Sequence, residues 1–161
     1  MSVNLKVVLY LKLTMPTRVY CDGVFDLFHI GHVGFLQEVR RKAMQENPDA
    51  QDIHLIVGVI ADADVLTYKR LPVTREHHRA AAVAACRWVD ETIPNAPLVV
   101  TEDFLTEHHI DLVFHGDDSK QEGFFAVPIA RGIMRYCTYD PEQTGISTTG
   151  LIATIKARDD L

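Results

Sequence analysis

Basic residues are in short supply in this chain: 16 lysines and arginines face 22 aspartates and glutamates, for a formal net charge of −6 over 161 residues. That balance argues against a nucleic-acid surface or a polybasic membrane surface, while leaving room for a local basic pocket. Cysteine is scarce too. Cys21, Cys86 and Cys137 are odd in number and widely spaced, and no Cys-x-x-Cys occurs. The pattern speaks against a disulfide framework and a zinc site, and for a reducing compartment. No run reaches the roughly eighteen apolar residues of a transmembrane helix. The opening stretch, Val3 to Leu13, is apolar but broken by Lys6 and Lys12 and lacks a small-residue cleavage signature, so it reads as neither signal peptide nor anchor. Internal repeats, low-complexity tracts and domain linkers are missing as well.

What is present, 47% hydrophobic and 24% charged residues, suits one globular domain with one core. Four short β-branched runs read as buried strands: Arg18–Asp22, Ile53–Ile60, Trp88–Ile93 and Asp111–His115, with a weaker fifth from Arg135 to Tyr139. Helical patterns lie between them. Val33, Leu36, Val39 and Ala43 recur at three- and four-residue spacing and form one apolar face. Glu76–Ala85 is alanine-rich and follows Thr74, a candidate N-cap. Glu102–His109 carries acids in its first turn, and a last helix begins near Ser147. Alternating strands and helices predict an α/β fold, a parallel sheet with helices on both faces. Ligands of such sheets bind at the carboxyl ends of the strands, where the strand order reverses.

The densest chemical signal is Tyr20-Cys21-Asp22-Gly23-Val24-Phe25-Asp26-Leu27-Phe28-His29-Ile30-Gly31-His32. A strand ends, a glycine permits a tight turn, and two histidines flank a second glycine where a helix opens. A helix N-terminus favours phosphate, and imidazoles placed there can donate to phosphate oxygens as charge builds. The bland alternative is a helix start with two incidental histidines. Near the other end, Gly145-Ile146-Ser147-Thr148-Thr149 places hydroxyl residues before an apolar helix; alone it would be only an N-cap. Two such termini, each at an expected strand end, point to one polyphosphate. The pairs His77-His78 and His108-His109 cannot share a helical face and are not chelating sites, and no metal-ligand set is expected. The cysteines read as small buried hydrophobes.

On the stretch 22–32, on Arg87-Trp88-Val89-Asp90-Glu91 and on Gly145–Thr149, the chain resembles the cytidylyltransferase family of the nucleotidyltransferase superfamily. Leu55-Ile56-Val57-Gly58-Val59, the Asn95-Ala96-Pro97 turn and His115-Gly116-Asp117-Asp118 extend the likeness to the phosphoethanolamine and phosphocholine enzymes. The likeness runs from Pro16 to Lys156, and implies a doubly wound, Rossmann-like sheet of about five strands. Residues 1–15 then form an N-terminal extension and 16–161 the catalytic domain; an edge strand within Met1–Thr14 is the alternative. His-Ile-Gly-His also spells a class I aminoacyl-tRNA synthetase signature, which a short acidic chain fits poorly.

The resemblance implies transfer of CMP from CTP to phosphoethanolamine with release of pyrophosphate. Phosphocholine, and after it glycerol 3-phosphate, are the alternative acceptors. His29, His32 and Lys69 would be catalytic. CTP would be held by these three with Val24, Phe25, Arg87, His115, Gly116, Asp117, Asp118, Gly145, Ile146, Ser147 and Thr148. Asp22 and Lys69 would face the phospho-alcohol, and Mg²⁺ would accompany CTP. Arg79 is a weaker candidate that could simply decorate its helix. A cytoplasmic homodimer, paired near the Arg87–Glu91 strand, is expected on the same basis. Two departures stand out. Glu142 occupies the position where relatives carry an arginine, which raises a different reading, a non-catalytic CTP-binding subunit; Arg131, Arg135 or Lys120 could supply the missing cation. Leu98 stands where the phosphocholine enzymes carry tryptophan, and since a quaternary ammonium prefers aromatic faces, this favours ethanolamine. Phe124 and Phe125 could refill a cage.

Overall fold

Val19, Tyr20 and Cys21 are wholly buried, and so are Leu55, Ile56 and Val57 beside them. A strand buried on both faces must be central, and these two are. The computed structural model describes residues 15–48, 50, 52–117, 122–138 and 145–160. Strands β1 (Thr17–Gly23), β2 (Ile53–Ile60), β3 (Glu91–Ala96), β4 (Leu112–Gly116) and β5 (Met134–Cys137) form one sheet in the order β3-β2-β1-β4-β5. All four pairings are parallel. The chain winds outward from β1 to β3, then crosses back to lay β4 on the other side of β1. The reversal leaves a crevice at the carboxyl ends of β1 and β4, where doubly wound sheets bind ligands.

The helices are α1 (Ile30–Glu46), α2 (Asp62–Val65), α3 (Glu76–Ala84), α4 (Glu102–Glu107), α5 (Ala126–Ala130) and α6 (Thr148–Lys156). Strand side chains alternate faces, so the core divides in two. Val19, Cys21, Val57 and Phe114 meet Phe35, Leu36 and Val39 of α1 and Val83 of α3 on one side. Tyr20, Ile56 and Val113 meet Phe104 and Leu105 of α4 on the other. The expected sheet of about five strands with helices on both faces is what the structure contains.

Several boundaries differ from expectation. The helix predicted around Val33 starts at Ile30, and Phe35 and Gly31 are buried in it where Val33 is only half-buried. The strand expected from Trp88 starts at Glu91, because Val89 N–H donates to the Cys86 carbonyl and holds Trp88 in a turn. Asn95 and Ala96, expected in a turn, end β3 instead. Asn95 takes a positive φ of 53°, and the register slips between Val59 and Ile60, which places it in a bulge. Thr74 does not cap α3: Arg75 holds the cap position without a side-chain hydrogen bond, and the Thr74 N–H donates to Asp26 instead. Ser147 does cap α6, accepting from the Gly150 N–H. Residues 1–14 lie outside the described residues, and with them the edge strand considered there; so does Tyr139 at the end of the predicted fifth strand.

Gly58 is required by close approach. A Cβ there would stand 2.2 Å from the Tyr20 hydroxyl oxygen and 2.8 Å from the Ala96 Cβ. The space lets Tyr20 lie across the sheet with its hydroxyl donating to Asp22 Oδ2 at 3.4 Å.

Candidate active site

The crevice between β1 and β4 opens into a cavity of about 740 Å³, within the range of small-ligand sites. Asp22 and His115 come to it from the ends of β1 and β4, with Gly116 following; Val24 and Phe25 come from the loop after β1. His32 enters from the first turn of α1, Lys69 from the loop after α2, and Ser147 and Thr148 from the start of α6. Nine residues selected from three separate stretches and one lone lysine thus share a cavity.

The loop between β1 and α1 is held in an unusual shape. Phe25 and Leu27 both have positive φ, 53° and 48°, which non-glycine residues adopt at a cost. Its surroundings over-determine it. Arg79 Nη1 donates to the Val24 carbonyl at 2.5 Å, and the Thr148 hydroxyl donates to the Asp26 carbonyl at 3.0 Å. The Asp26 carboxylate, 5% exposed, accepts from the N–H groups of Val73 and Thr74 and from Arg70 at 3.1 Å. Burial pushes the Asp26 carboxyl up, but these donors together outweigh it and hold the group below its ordinary value.

At the start of α1 the two histidines cap the helix reciprocally. His29 Nδ1 accepts from the Gly31 N–H at 3.1 Å, and His32 Nδ1 accepts from the His29 N–H at 3.3 Å. Their rings stack with centroids 3.9 Å apart. Burial, with His29 adding to it, pushes His32 down to about 3 despite the opposing Asp26 charge. It is therefore a neutral imidazole whose proton sits on Nε2, the atom not engaged in capping. Burial lowers His29 as well. Fixed positive charge must come from elsewhere, and Lys69 and Arg70 line the cavity.

A smaller cavity of about 40 Å³ adjoins the first and shares Asp22, Lys69 and His115 with it. Tyr68, Leu98, Phe124 and Phe125 belong to its walls, together with Gly23, Val24 and Ile60. Tyr68 and Phe124 meet edge to face at 6.0 Å, and His115 Nδ1 lies 3.2 Å from Asp22 Oδ1. The Asp22 carboxylate is 6% exposed. It is a concentrated negative charge beside two aromatic walls.

Some expected site residues are placed elsewhere. Arg87 does not line the cavity; it is exposed in the turn before β3, its guanidinium 4.9 Å from the Trp88 ring. Asp117 is exposed and donates its N–H to the Cys137 carbonyl. Gly145, at φ +67°, and Ile146 lead into α6 without lining the cavity. His29 is 8% exposed and is not among the lining residues. Asp118, Lys120 and Glu142 lie outside the described residues. Arg131 pairs with Glu102 and Arg135 with Glu46, and neither lines the cavity. Arg79 does not decorate a helix surface: it is 0% exposed and bonds Val24, Ile60, Asp62 and Thr74. Asp26, Arg70 and Tyr68 were not singled out in the sequence, although Asp26 stands inside the histidine stretch and the other two flank Lys69. Among the described residues no group of three or more His, Cys, Asp or Glu could hold a metal ion.

Residues 20–153, which include every cavity-lining residue, match a family model described as cytidylyltransferase-like. The chain belongs to the cytidylyltransferase-like family. A probable choline-phosphate cytidylyltransferase of Schizosaccharomyces pombe is 41% identical over 143 residues, 87% of this chain and 37% of the relative. An ethanolamine-phosphate cytidylyltransferase of Arabidopsis thaliana is 36% identical over 148 residues, 88% of this chain and 33% of the relative. The chain thus spans about a third of the length of these curated relatives. A crystal structure of the lipopolysaccharide core biosynthesis protein from Thermoplasma volcanium superposes with a TM-score of 0.60 at 25% identity, covering 77% of this chain and 98% of that one. In family terms, the histidine stretch and the Gly145–Thr149 stretch are the two helix starts that flank the cavity.

Proposed function

We propose that this cytidylyltransferase-like chain transfers CMP from CTP to phosphoethanolamine and releases pyrophosphate. The observation that carries the reading is the joining of two cavities. The large one collects phosphate-binding groups, namely His32, Lys69, Arg70 and the capped N-termini of α1 and α6. The small one sets the Asp22 carboxylate against Tyr68 and Phe124, which suits a cationic head group. Its volume of about 40 Å³ exceeds the roughly 10–15 Å³ needed for one water but leaves little for three methyl groups, and Leu98 forms part of its wall. An ammonium group fits better than a trimethylammonium, which supports ethanolamine over choline.

In this reading a phosphate oxygen of phosphoethanolamine attacks the α-phosphorus of CTP in line, and the bond to the pyrophosphate oxygen breaks. A phosphate monoester with a second pKa near ~6 is largely dianionic at neutral pH and needs no general base. The protein therefore contributes position and charge. Lys69, bordering both cavities, is placed to hold the attacking phosphate near the nucleotide. His32 donates from Nε2 to the triphosphate, and the start of α6 at Ser147 adds its N–H groups. Mg²⁺ accompanying CTP would supply further positive charge for the leaving pyrophosphate, beside that of Lys69. A homodimer paired near Arg87–Glu91 belongs to the same reading. So does a cytoplasmic setting, supported by three free cysteines. No helix among the described residues is long and apolar enough to cross a membrane.

The relatives named for choline phosphate make phosphocholine the second reading, and Glu142 keeps a non-catalytic CTP-binding role as the third. Pyrophosphate release measured with CTP and phosphoethanolamine, phosphocholine or glycerol 3-phosphate separates them. The expected result is the highest kcat/KM with phosphoethanolamine. A preference for phosphocholine would overturn the acceptor, and CTP binding without release from any acceptor would overturn the transferase.

A further inference from the structure

Positive charge is scarce in the large cavity. Among the described residues, Lys69 and Arg70 are the only lysine or arginine side chains on its wall, and the Asp22 and Asp26 carboxylates stand against them. His32 is neutral and adds none. Two cations facing two carboxylates leave no surplus for a triphosphate, so the placing of each cation matters. Lys69 borders both cavities, whereas Arg70 borders the large one alone. Lys69 therefore stands at the junction with the acceptor pocket, and Arg70 stands away from it, on the side where the leaving pyrophosphate would lie.

Arg70 is held in place although its side chain is 50% exposed. Its Nη2 donates to Asp26 Oδ2 at 3.1 Å and its Nη1 to the Leu71 carbonyl at 3.0 Å. The same carboxylate accepts from the Val73 and Thr74 N–H groups, so the loop that carries Arg70 wraps around Asp26 and is fixed on it. A guanidinium is a rigid planar fork of five N–H groups, and two of them serve these acceptors among the described residues. The fork also has a fixed neighbour. Asp26 bears Arg70 on its carboxylate and the Thr148 hydroxyl on its carbonyl, at 3.0 Å. One residue thus brings the guanidinium beside the start of α6, a helix end that favours phosphate.

We propose that Arg70 is a specificity-determining phosphate ligand: one edge of its fork stays on Asp26 and the other takes the phosphates beyond the first, so that the site distinguishes CTP from CMP. The assignment deepens the CTP reading and rests on it. It also supplies a cation that the chain needs with glutamate at position 142, since Arg131 and Arg135 do not line the cavity and Arg70 does. Holding the guanidinium on a buried carboxylate fixes its direction before nucleotide arrives, which lowers the ordering cost of binding.

The test is calorimetric affinity for CMP, CDP and CTP, without acceptor, in the native protein, Arg70→Gln and Arg70→Lys. Arg70→Gln alters a half-exposed side chain and leaves Asp26 both backbone donors, so the variant folds. It should weaken CTP binding about ten- to a hundredfold, the scale of a lost charge-assisted hydrogen bond, with a smaller loss for CDP and the least for CMP. Arg70→Lys restores the charge without the fork and should recover only part of the CTP affinity. Equal losses for CMP and CTP in Arg70→Gln would overturn the proposal, because a residue that only shapes the loop shifts every nucleotide alike. Full recovery in Arg70→Lys would overturn it too, because neutralising Asp26 needs no fork. Affinity is read without turnover, so the two readings fail separately. A phosphate-dependent loss in a protein that binds CTP but releases no pyrophosphate keeps Arg70 and rejects the transferase. Native CTP affinity in Arg70→Gln, in a protein that does turn over, rejects Arg70 and keeps the transferase.

Discussion

Replacing Arg79 should be the most damaging single change outside the cavity. The side chain is 0% exposed and its guanidinium serves four acceptors: the Thr74 carbonyl at 3.0 Å, Val24 at 2.5 Å, Ile60 at 2.9 Å and Asp62 Oδ1 at 2.6 Å. These belong to three separate segments: the strained loop after β1, the end of β2 with the start of α2, and the turn before α3. Arg79→Ala strands three carbonyls at about 1–3 kcal/mol each and breaks the ion pair with Asp62, whose side chain is 26% exposed and so is partly screened by solvent. These overlap, and a net loss of about 4–6 kcal/mol is expected, against a whole-domain stability of roughly 5–15 kcal/mol. A loss of that size brings the Ala variant close to unfolding, so Arg79→Lys is the informative change. Lysine keeps the charge but lacks the planar fork, and can serve one or two of the four acceptors. A loss of about 2–3 kcal/mol follows, which lowers the melting temperature by roughly 4–12 °C for a chain of this size. Thermal unfolding followed by circular dichroism reads this directly. A lysine variant melting within about 2 °C of the native protein would refute the view that the fork holds these segments together.

Four further outcomes are expected. His32→Ala should reduce kcat about a hundred- to a thousandfold in the pyrophosphate assay while altering CTP binding far less, as for a lost transition-state donor; near-native turnover would remove His32 from the mechanism. Because the folded His32 stays neutral down to about 3 while an unfolded imidazole protonates near 6.5, stability should fall as pH drops below 6.5, and His32→Ala should flatten that fall in urea titrations. Asp22→Asn should raise the KM for phosphoethanolamine much more than that for CTP; equal effects would reduce Asp22 to a structural partner of Tyr20 and His115. Gly58→Ala should destabilise by about 1–3 kcal/mol through overpacking, because its Cβ meets the Tyr20 hydroxyl oxygen at 2.2 Å, and Tyr20→Phe in the same background should recover part of the loss in the melt.

Periodicity and punctuation by themselves determined the α/β class, the bounds of β2, the starts of α3, α4 and α6, and the two helix N-termini beside the cavity. These are local properties: a β-branched run, an alanine-rich turn or a serine before a helix acts on its own neighbours. Resemblance added the family and the assignment of Asp22, His32, Lys69 and His115 to one site. What local pattern could not decide was set by contacts distant in the chain. Asp26 reads as one more acid beside a phenylalanine until the fold brings Val73 and Thr74 to its carboxylate, 47 and 48 residues away. Arg79 lies on a helix face that a sequence assigns to solvent, and is buried because the loop after β1, the end of β2 and the turn before α3 turn their carbonyls toward it. Arg87 and His29 belong to the site's motifs, but the turn at Cys86–Val89 keeps Arg87 out of the cavity, and the His29 ring meets a hydroxyl 119 residues away. A hydrogen bond is satisfied by whatever the tertiary structure places within about 3 Å of it, and no spacing along the chain announces that partner.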